Sequence, residues 1–153
     1  MKFSSRNIIT NKDILIWISL LTIMVLLLII IGGLTRLTDS GLSMVDWRPI
    51  MGIIPPLNKE TWVEVFNNYK LTPEYKIVNF SMTLEKFKFI FLWEWFHRFL
   101  ARFIGIIFIV PFIYYFLKKK LSKNLLFILL VVFIFGIFQA VIGWWMVKSG
   151  LIK

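Results

Sequence analysis

The sequence predicts an all-α membrane protein: three transmembrane helices, with a long outer loop that carries short amphipathic helices between the first two. Composition is the first reason. Of 153 residues, 59% are hydrophobic and 17% charged, more apolar surface than a water-soluble core of this length can hide. Apolar runs at about 14–33, 89–117 and 125–147, separated by charged or Gly/Pro-rich stretches, are the second. The third is where the basic residues fall. They flank the runs and form no amphipathic stripe, so the net charge of +10 points to anionic lipid headgroups and not to nucleic acid.

The first run, Ile14 to Ile31, is nearly all Ile, Leu, Val and Met, with Ser19 and Thr22 as its only hydroxyls. Extended to Gly33 it reaches about 30 Å as a helix, the thickness of a bilayer core. Its β-branched content does not argue for a strand, because in lipid a lone segment must satisfy its own backbone hydrogen bonds. A cleaved secretory signal has a shorter core and small residues at its exit, so the run reads as a retained helix. The second run carries Glu94, His97, Arg98 and Arg102 in its first half, and Pro111 predicts a bend or local break. The third contains Gly136, Gln139 and Gly143 and closes on Trp144 and Trp145, aromatic residues of the kind that sit at a membrane interface.

Lys2, Arg6 and Lys12 precede the first run, and Lys118, Lys119, Lys120 and Lys123 separate the second from the third. The connection from Gly32 to Lys88 nearly balances seven basic against six acidic residues. The positive-inside tendency therefore places the N-terminus and the lysine turn inside, and the loop 34–88 and the C-terminus outside. Within that loop, Gly and Pro exclude a long helix before about Lys59. Lys59–Tyr69 and Tyr75–Lys88 can form amphipathic helices, with Trp62, Val65, Phe66 and Tyr69 on one face of the former. That face suits either the bilayer surface or the cover of a site.

Charges within an apolar span are costly unless they reach water, a partner or a cofactor. Glu94 lies three residues before His97 and four before Arg98, so one helical face near the outer end of the span collects a carboxylate, an imidazole and a guanidinium, with Arg102 continuing the basic side. His97 is the single histidine. An imidazole in apolar surroundings suits axial ligation of haem iron, and Ala101 and Gly105 follow at four-residue steps, leaving room for a flat macrocycle. A self-satisfied polar knot that fixes helix packing, and a proton or substrate path, explain the same pattern. With one imidazole and no Cys, zinc is disfavoured. Gly32-Gly33 lacks the spacing of a nucleotide-binding loop, and nothing in the sequence joins Asp39 and Ser43 to His97 as a hydrolytic triad.

Several separated motifs give these residues a family context. They are Gly32-Gly33-Leu34-Thr35-Arg36-Leu37-Thr38-Asp39-Ser40-Gly41-Leu42-Ser43, Asp46-Trp47-Arg48-Pro49 through Gly52-Ile53-Ile54-Pro55-Pro56-Leu57, Pro73-Glu74-Tyr75, Phe87 through Arg98, Ala101-Arg102 with Gly105, and Gln139 through Leu151. Together they resemble the N-terminal part of the haem A synthase family, in its branch without a cysteine pair in the first outer loop. The resemblance implies part of a four-helix haem-binding bundle and the oxidation of a ring methyl of haem O to the formyl group of haem A. It implies Glu94 as the catalytic carboxylate and His97 as a haem-iron ligand. Arg98, Arg102 and Arg36 follow as cofactor-binding residues, the arginines being suited to haem propionates. Members of the family hold the substrate haem O in one bundle and a haem b in a second.

The family pattern has eight spans and four ligand histidines; this chain has three spans and one histidine. The expectation is therefore a fragment or the product of a split gene, inactive alone and completed by a further polypeptide or segment that supplies the remaining helices and histidines. A bacterial cytoplasmic or mitochondrial inner membrane is the implied location. Reporter fusions after residues 10, 60, 121 and 153 test the orientation: positions 10 and 121 are expected inside and 60 and 153 outside, and an outside location for position 121 overturns it.

Overall fold

The computed structural model describes residues 12–45 and 51–150. Lys2, Arg6, the Asp46-Trp47-Arg48-Pro49 motif and Leu151 lie outside the described residues. The elements in order are α1 (Lys12–Leu37), a 3-10 turn (Met51–Ile53), α2 (Lys59–Lys70), α3 (Pro73–Ile77), α4 (Leu84–Leu117) and α5 (Lys123–Gly150). Among the described residues there is no strand, and α1, α4 and α5 are each long and apolar enough to cross a bilayer. The chain is an all-α integral membrane protein.

Helices α1 and α4 form the central antiparallel pair. Trp17 near the start of α1 meets Phe108 and Tyr115 of α4, with ring centroids 6.1 and 5.6 Å apart, while Gly32 near its end faces His97. With that register, the α4 residues before about Glu94 extend past the end of α1. Ile14, Trp17, Leu21, Tyr115, Leu125 and Leu129 form a buried cluster that ties in the start of α5, and Phe108 stacks on Phe133 at 5.9 Å. Beyond Phe133 most of α5 is exposed up to the buried Val147.

Pro111 lies inside α4, which continues as one helix from Leu84 to Leu117; of the bend or local break expected there, the break does not form. A proline has no N–H to give to the carbonyl four residues earlier, here that of Ile107. The Trp17 indole supplies the missing donor, with Nε1–H on the Ile107 carbonyl at 2.8 Å. In lipid an unpaired backbone carbonyl has no water to turn to, so the contact that packs α1 on α4 also repairs the defect.

The reversal after α1 is similarly local. The Ser40 N–H bonds the Thr35 carbonyl at 2.9 Å and the Asp39 N–H the Arg36 carbonyl at 3.3 Å, with Asp39 at φ +50°. This is the paired helix-ending motif that needs a left-handed residue, a conformation Asp tolerates better than most. It turns Gly41–Val45 back toward α4.

The rest of the connection caps the extended start of α4. Asn58, Thr72 and Thr83 are the N-caps of α2, α3 and α4, their side chains accepting from Thr61, Tyr75 and Lys86 N–H groups. The helix expected over Tyr75–Lys88 is instead two, α3 and the start of α4, because Ser81 at φ +73° reverses the chain and Thr83 starts a new helix. The face bearing Trp62, Val65, Phe66 and Tyr69 packs on Phe87, Ile90 and Phe91 of α4, so it covers protein and not the bilayer. Tyr69 and Phe87 are wholly buried. Burial pushes the Tyr69 phenol up to about 12, and Asn79 donates to its oxygen at 2.8 Å.

Trp17→Phe keeps the ring but leaves the Ile107 carbonyl unpaired, and is expected to cost about 1–3 kcal/mol of stability in detergent or bicelles. Pro111→Ala restores the N–H to that carbonyl, so in the double variant the Trp17→Phe cost is expected to shrink to below about 1 kcal/mol. Additive losses in this cycle would show that the indole bond does not compensate for the proline.

Candidate functional site

The site forms where the returning connection meets α4 beside the end of α1. Glu94, 3% exposed, occupies the centre. Its Oε2 accepts from the Ser43 N–H at 2.7 Å, the Ser43 hydroxyl at 2.6 Å and the Met44 N–H at 2.9 Å. Its Oε1 pairs with the Arg98 guanidinium one turn along α4. Successive backbone N–H groups make a concavity suited to an anion, and hydrogen bonds to an ionised group are stronger than neutral ones. The arrangement holds the carboxylate in one orientation and fastens the connection to α4.

His97 follows one turn after Glu94. A Cβ added to Gly32 of α1 would lie 3.1 Å from its Nε2, so the glycine leaves the space that the imidazole occupies. Gly33, its neighbour, has open space around the corresponding position. The GG pair at the exit of α1 thus has one member shaped by the site and one that is not.

Arg98 and Arg102 separate in role. Arg98 is engaged by Glu94, whereas Arg102 has a buried Nη1 without a hydrogen-bond partner. Its guanidinium reaches the 3-10 turn, where a Cβ on Gly52 would stand 3.9 Å from Nη2. The turn is itself held to α4 by the Trp95 indole N–H on the Ile53 carbonyl at 3.1 Å. Arg36 is exposed in the last turn of α1 and makes no hydrogen bond or ion pair with Glu94, His97, Arg98 or Arg102. The structure thus brings Glu94, His97 and Arg98 together, places Arg102 one turn further along α4, and leaves Arg36 apart from them.

Ser43, Met44, Gly52 and Trp95 belong to the site, and sequence reasoning does not find them there. Ser43 is 51 positions from Glu94, and no periodicity links a loop serine to a helical carboxylate. The one available signal is the demand itself: a carboxylate within a span needs donors, and a nearby Ser and Gly-rich loop can bring them.

The residues present fit a haem. An imidazole beside α1, a buried guanidinium nitrogen without an acceptor, and open space at Gly105 of α4 suit an iron, a carboxylate and a flat ring respectively. The stacking of Phe108 on Phe133 and the packing of Leu125 and Leu129 near Tyr115 make α5 antiparallel to α4. That register sets Gly136 about level with Gly105.

Known proteins share this sequence over nearly its whole length. Residues 15–153 match the family model COX15-CtaA, described as cytochrome oxidase assembly protein. Proteins named heme A synthase are similar to it: one from Nitrosospira multiformis is 46% identical over 97% of this chain and 42% of its own length. Another from Flavobacterium psychrophilum is 48% identical over 93% and 42%, and one from Ehrlichia canis 45% identical over 99% and 44%. The chain therefore spans about two-fifths of the length of these curated relatives. No solved structure matches it.

The two adjacent glycines yield a paired test. Gly32→Ala is expected to displace the imidazole and to destabilise by about 1–3 kcal/mol, the usual range for overpacking. Gly33→Ala is expected to stabilise by about 0.5–1 kcal/mol, as removing a helical glycine does. Thermal unfolding of the two variants decides the matter, and equal shifts would mean that Gly32 is not fitted to His97.

Proposed function

The chain belongs to the COX15-CtaA family of cytochrome oxidase assembly proteins, and from that premise we propose that it forms the haem O-binding N-terminal part of a haem A synthase. The assembled enzyme would oxidise a ring methyl of haem O to the formyl group of haem A. The observation that carries this reading is the coexistence, within two turns of α4, of the His97 imidazole, packed against Gly32 of α1, and of Arg102 with a buried nitrogen lacking an acceptor. A haem offers both partners at once, iron for the imidazole and propionate for the guanidinium.

In this reading His97 would hold the haem iron and Arg102 would pair with a propionate. Arg98 restrains Glu94, and Arg36 has a place at the membrane exit. Glu94, fixed by Ser43, Met44 and Arg98, would provide an oriented carboxylate able to act as a negative charge or a proton acceptor toward the reacting methyl. The redox chemistry belongs to the haems when bound; the protein orients the substrate and excludes water.

The remaining helices of the bundle, with the second histidine, would come from a further polypeptide or segment packed on the exposed face of α5, where Gly136, Gln139, Ala140 and Gly143 lie. Small residues permit close helix approach in lipid and Gln139 gives a hydrogen-bonding group. A second bundle would hold the haem b. The orientation has the N-terminus inside and the C-terminus outside, in a bacterial cytoplasmic membrane or its mitochondrial equivalent.

A non-enzymatic haem-binding electron-transfer subunit is the second reading, favoured by the full set of donors on Glu94: a carboxylate so engaged can serve packing alone. Two variants in the completed assembly test these readings, the first for haem binding, which both require, and the second for the step that separates them. His97→Ala is expected to abolish the axial-ligand haem spectrum at this site while the protein still accumulates. Glu94→Gln is expected to keep haem O bound but to slow haem A formation by about 100-fold or more, the usual weight of a positioned acid or base, measured by chromatography of extracted haems. Near-normal haem A from the Gln variant sinks the catalytic role and leaves the electron-transfer reading.

A further inference from the structure

We propose that Ser43 is a positioning residue for Glu94, the one group in its cradle able to serve the carboxyl in both its ionised and protonated forms. The reasoning starts from hydrogen counts. The Ser43 and Met44 N–H groups can only donate to Oε2, and Arg98 can only donate to Oε1. The Ser43 hydroxyl has one hydrogen and two lone pairs, and two acceptors within reach: Glu94 Oε2 at 2.6 Å and the Ser40 carbonyl at 3.1 Å. With Glu94 ionised, Oγ–H donates to Oε2. With a proton on Oε2, that proton is donated to Oγ, whose own hydrogen swings to the Ser40 carbonyl. Rotation about one C–O bond makes the change, and no heavy atom has to move.

The second acceptor is built in. Ser40 and Ser43 are 0% and 1% exposed, so water does not compete for the hydroxyl. The Ser40 carbonyl is held in place through the helix-ending bond from its own N–H to Thr35 and a 2.6 Å contact between the Ser40 and Thr38 hydroxyls. The charged and titratable groups that bear on Glu94 are Arg98 and His97 from α4 and Tyr69 from α2. None of them is hydrogen-bonded to Oε2, whose partners are the Ser43 and Met44 N–H groups and the Ser43 hydroxyl. This inference rests on the proposed function only for its effect on turnover, because the hydroxyl's two roles follow from the geometry alone.

Ser43→Ala keeps the backbone N–H but removes the switchable group, and Ser43→Thr keeps the hydroxyl. The first measurement is the infrared spectrum of the Glu94 carboxyl in the full chain in lipid vesicles, taken with the group ionised and with it protonated and assigned by the bands lost in Glu94→Gln. Ser43→Ala is expected to shift both the carboxylate band and the carboxylic-acid band, because the hydroxyl bonds each form. Ser43→Thr is expected to return both bands toward their wild-type positions. A band unmoved by Ser43→Ala in either form overturns the proposal, as does a shift that Ser43→Thr reproduces although hydrogen exchange shows its 41–45 segment as protected as in the wild type.

The second measurement is haem A formation by the completed assembly, where Ser43→Ala is expected to lower the rate about tenfold and displace its pH profile, at unchanged haem O content. A normal rate and profile in Ser43→Ala overturns the positioning role. If the wild-type assembly makes no haem A while the infrared shift and its rescue are seen, the assignment of Ser43 stands and the synthase reading falls.

Discussion

The site depends on one buried ion pair and the donors gathered around it. Glu94 and Arg98 lie one turn apart on α4, with 4% and 13% of their side chains exposed. A pair removed from water gains stability only when its remaining lone pairs and hydrogens are satisfied. The carboxylate gets that satisfaction from the connection after α1: two backbone N–H groups and a hydroxyl, all on Oε2. The connection in turn gets its path from Glu94, since the carboxylate is where its backbone is anchored. Removing Glu94 would leave three buried donors and a guanidinium without their acceptor, which is why its structural and chemical roles are hard to separate by truncation to alanine.

A second constraint comes from lipid as a solvent. Pro111 frees the Ile107 carbonyl in a medium without water, and Trp17 fills it; the same ring then contributes to the buried cluster with Tyr115, Leu125 and Leu129. This contact lies at the far end of the α1–α4 pair from Glu94. The two helices are thus fixed at both ends, by an indole–carbonyl bond at one and by the loop on Glu94 at the other. Between them Gly32 lets His97 approach α1 closely. A rigid pair of this kind gives the imidazole and carboxylate a fixed spacing, which both proposed roles require.

The aromatic cap adds a third element. Because α4 extends beyond α1, its first turns would expose Phe87, Ile90 and Phe91; α2 covers them with Trp62, Phe66 and Tyr69. Rings meet at 4.9 to 5.2 Å in the Phe66–Phe87, Tyr69–Phe87 and Trp62–Phe91 pairs. The cap keeps water from the Glu94 side of the connection, where Met44 joins the same buried cluster. Burial and the nearby Asp39 push the Glu74 carboxyl of α3 up from its ordinary value.

The sequence by itself determined what depends on local pattern. Long apolar runs set three helices, since a bilayer leaves a lone segment no other way to pair its backbone, and the spacing of Glu94, His97 and Arg98 set their shared face because helical geometry is periodic. The amphipathic face of Lys59–Tyr69 was legible for the same reason, though not its target. Only the tertiary structure decided the rest: that Trp17 reaches the Ile107 carbonyl, freed by Pro111, across 90 positions, that Ser43 and Met44 close on Glu94, and that Arg98 is engaged while Arg102 keeps a nitrogen without an acceptor. Each of these is a pairing between residues distant in the chain, and a buried polar group states that it needs a partner without stating which one folding will bring.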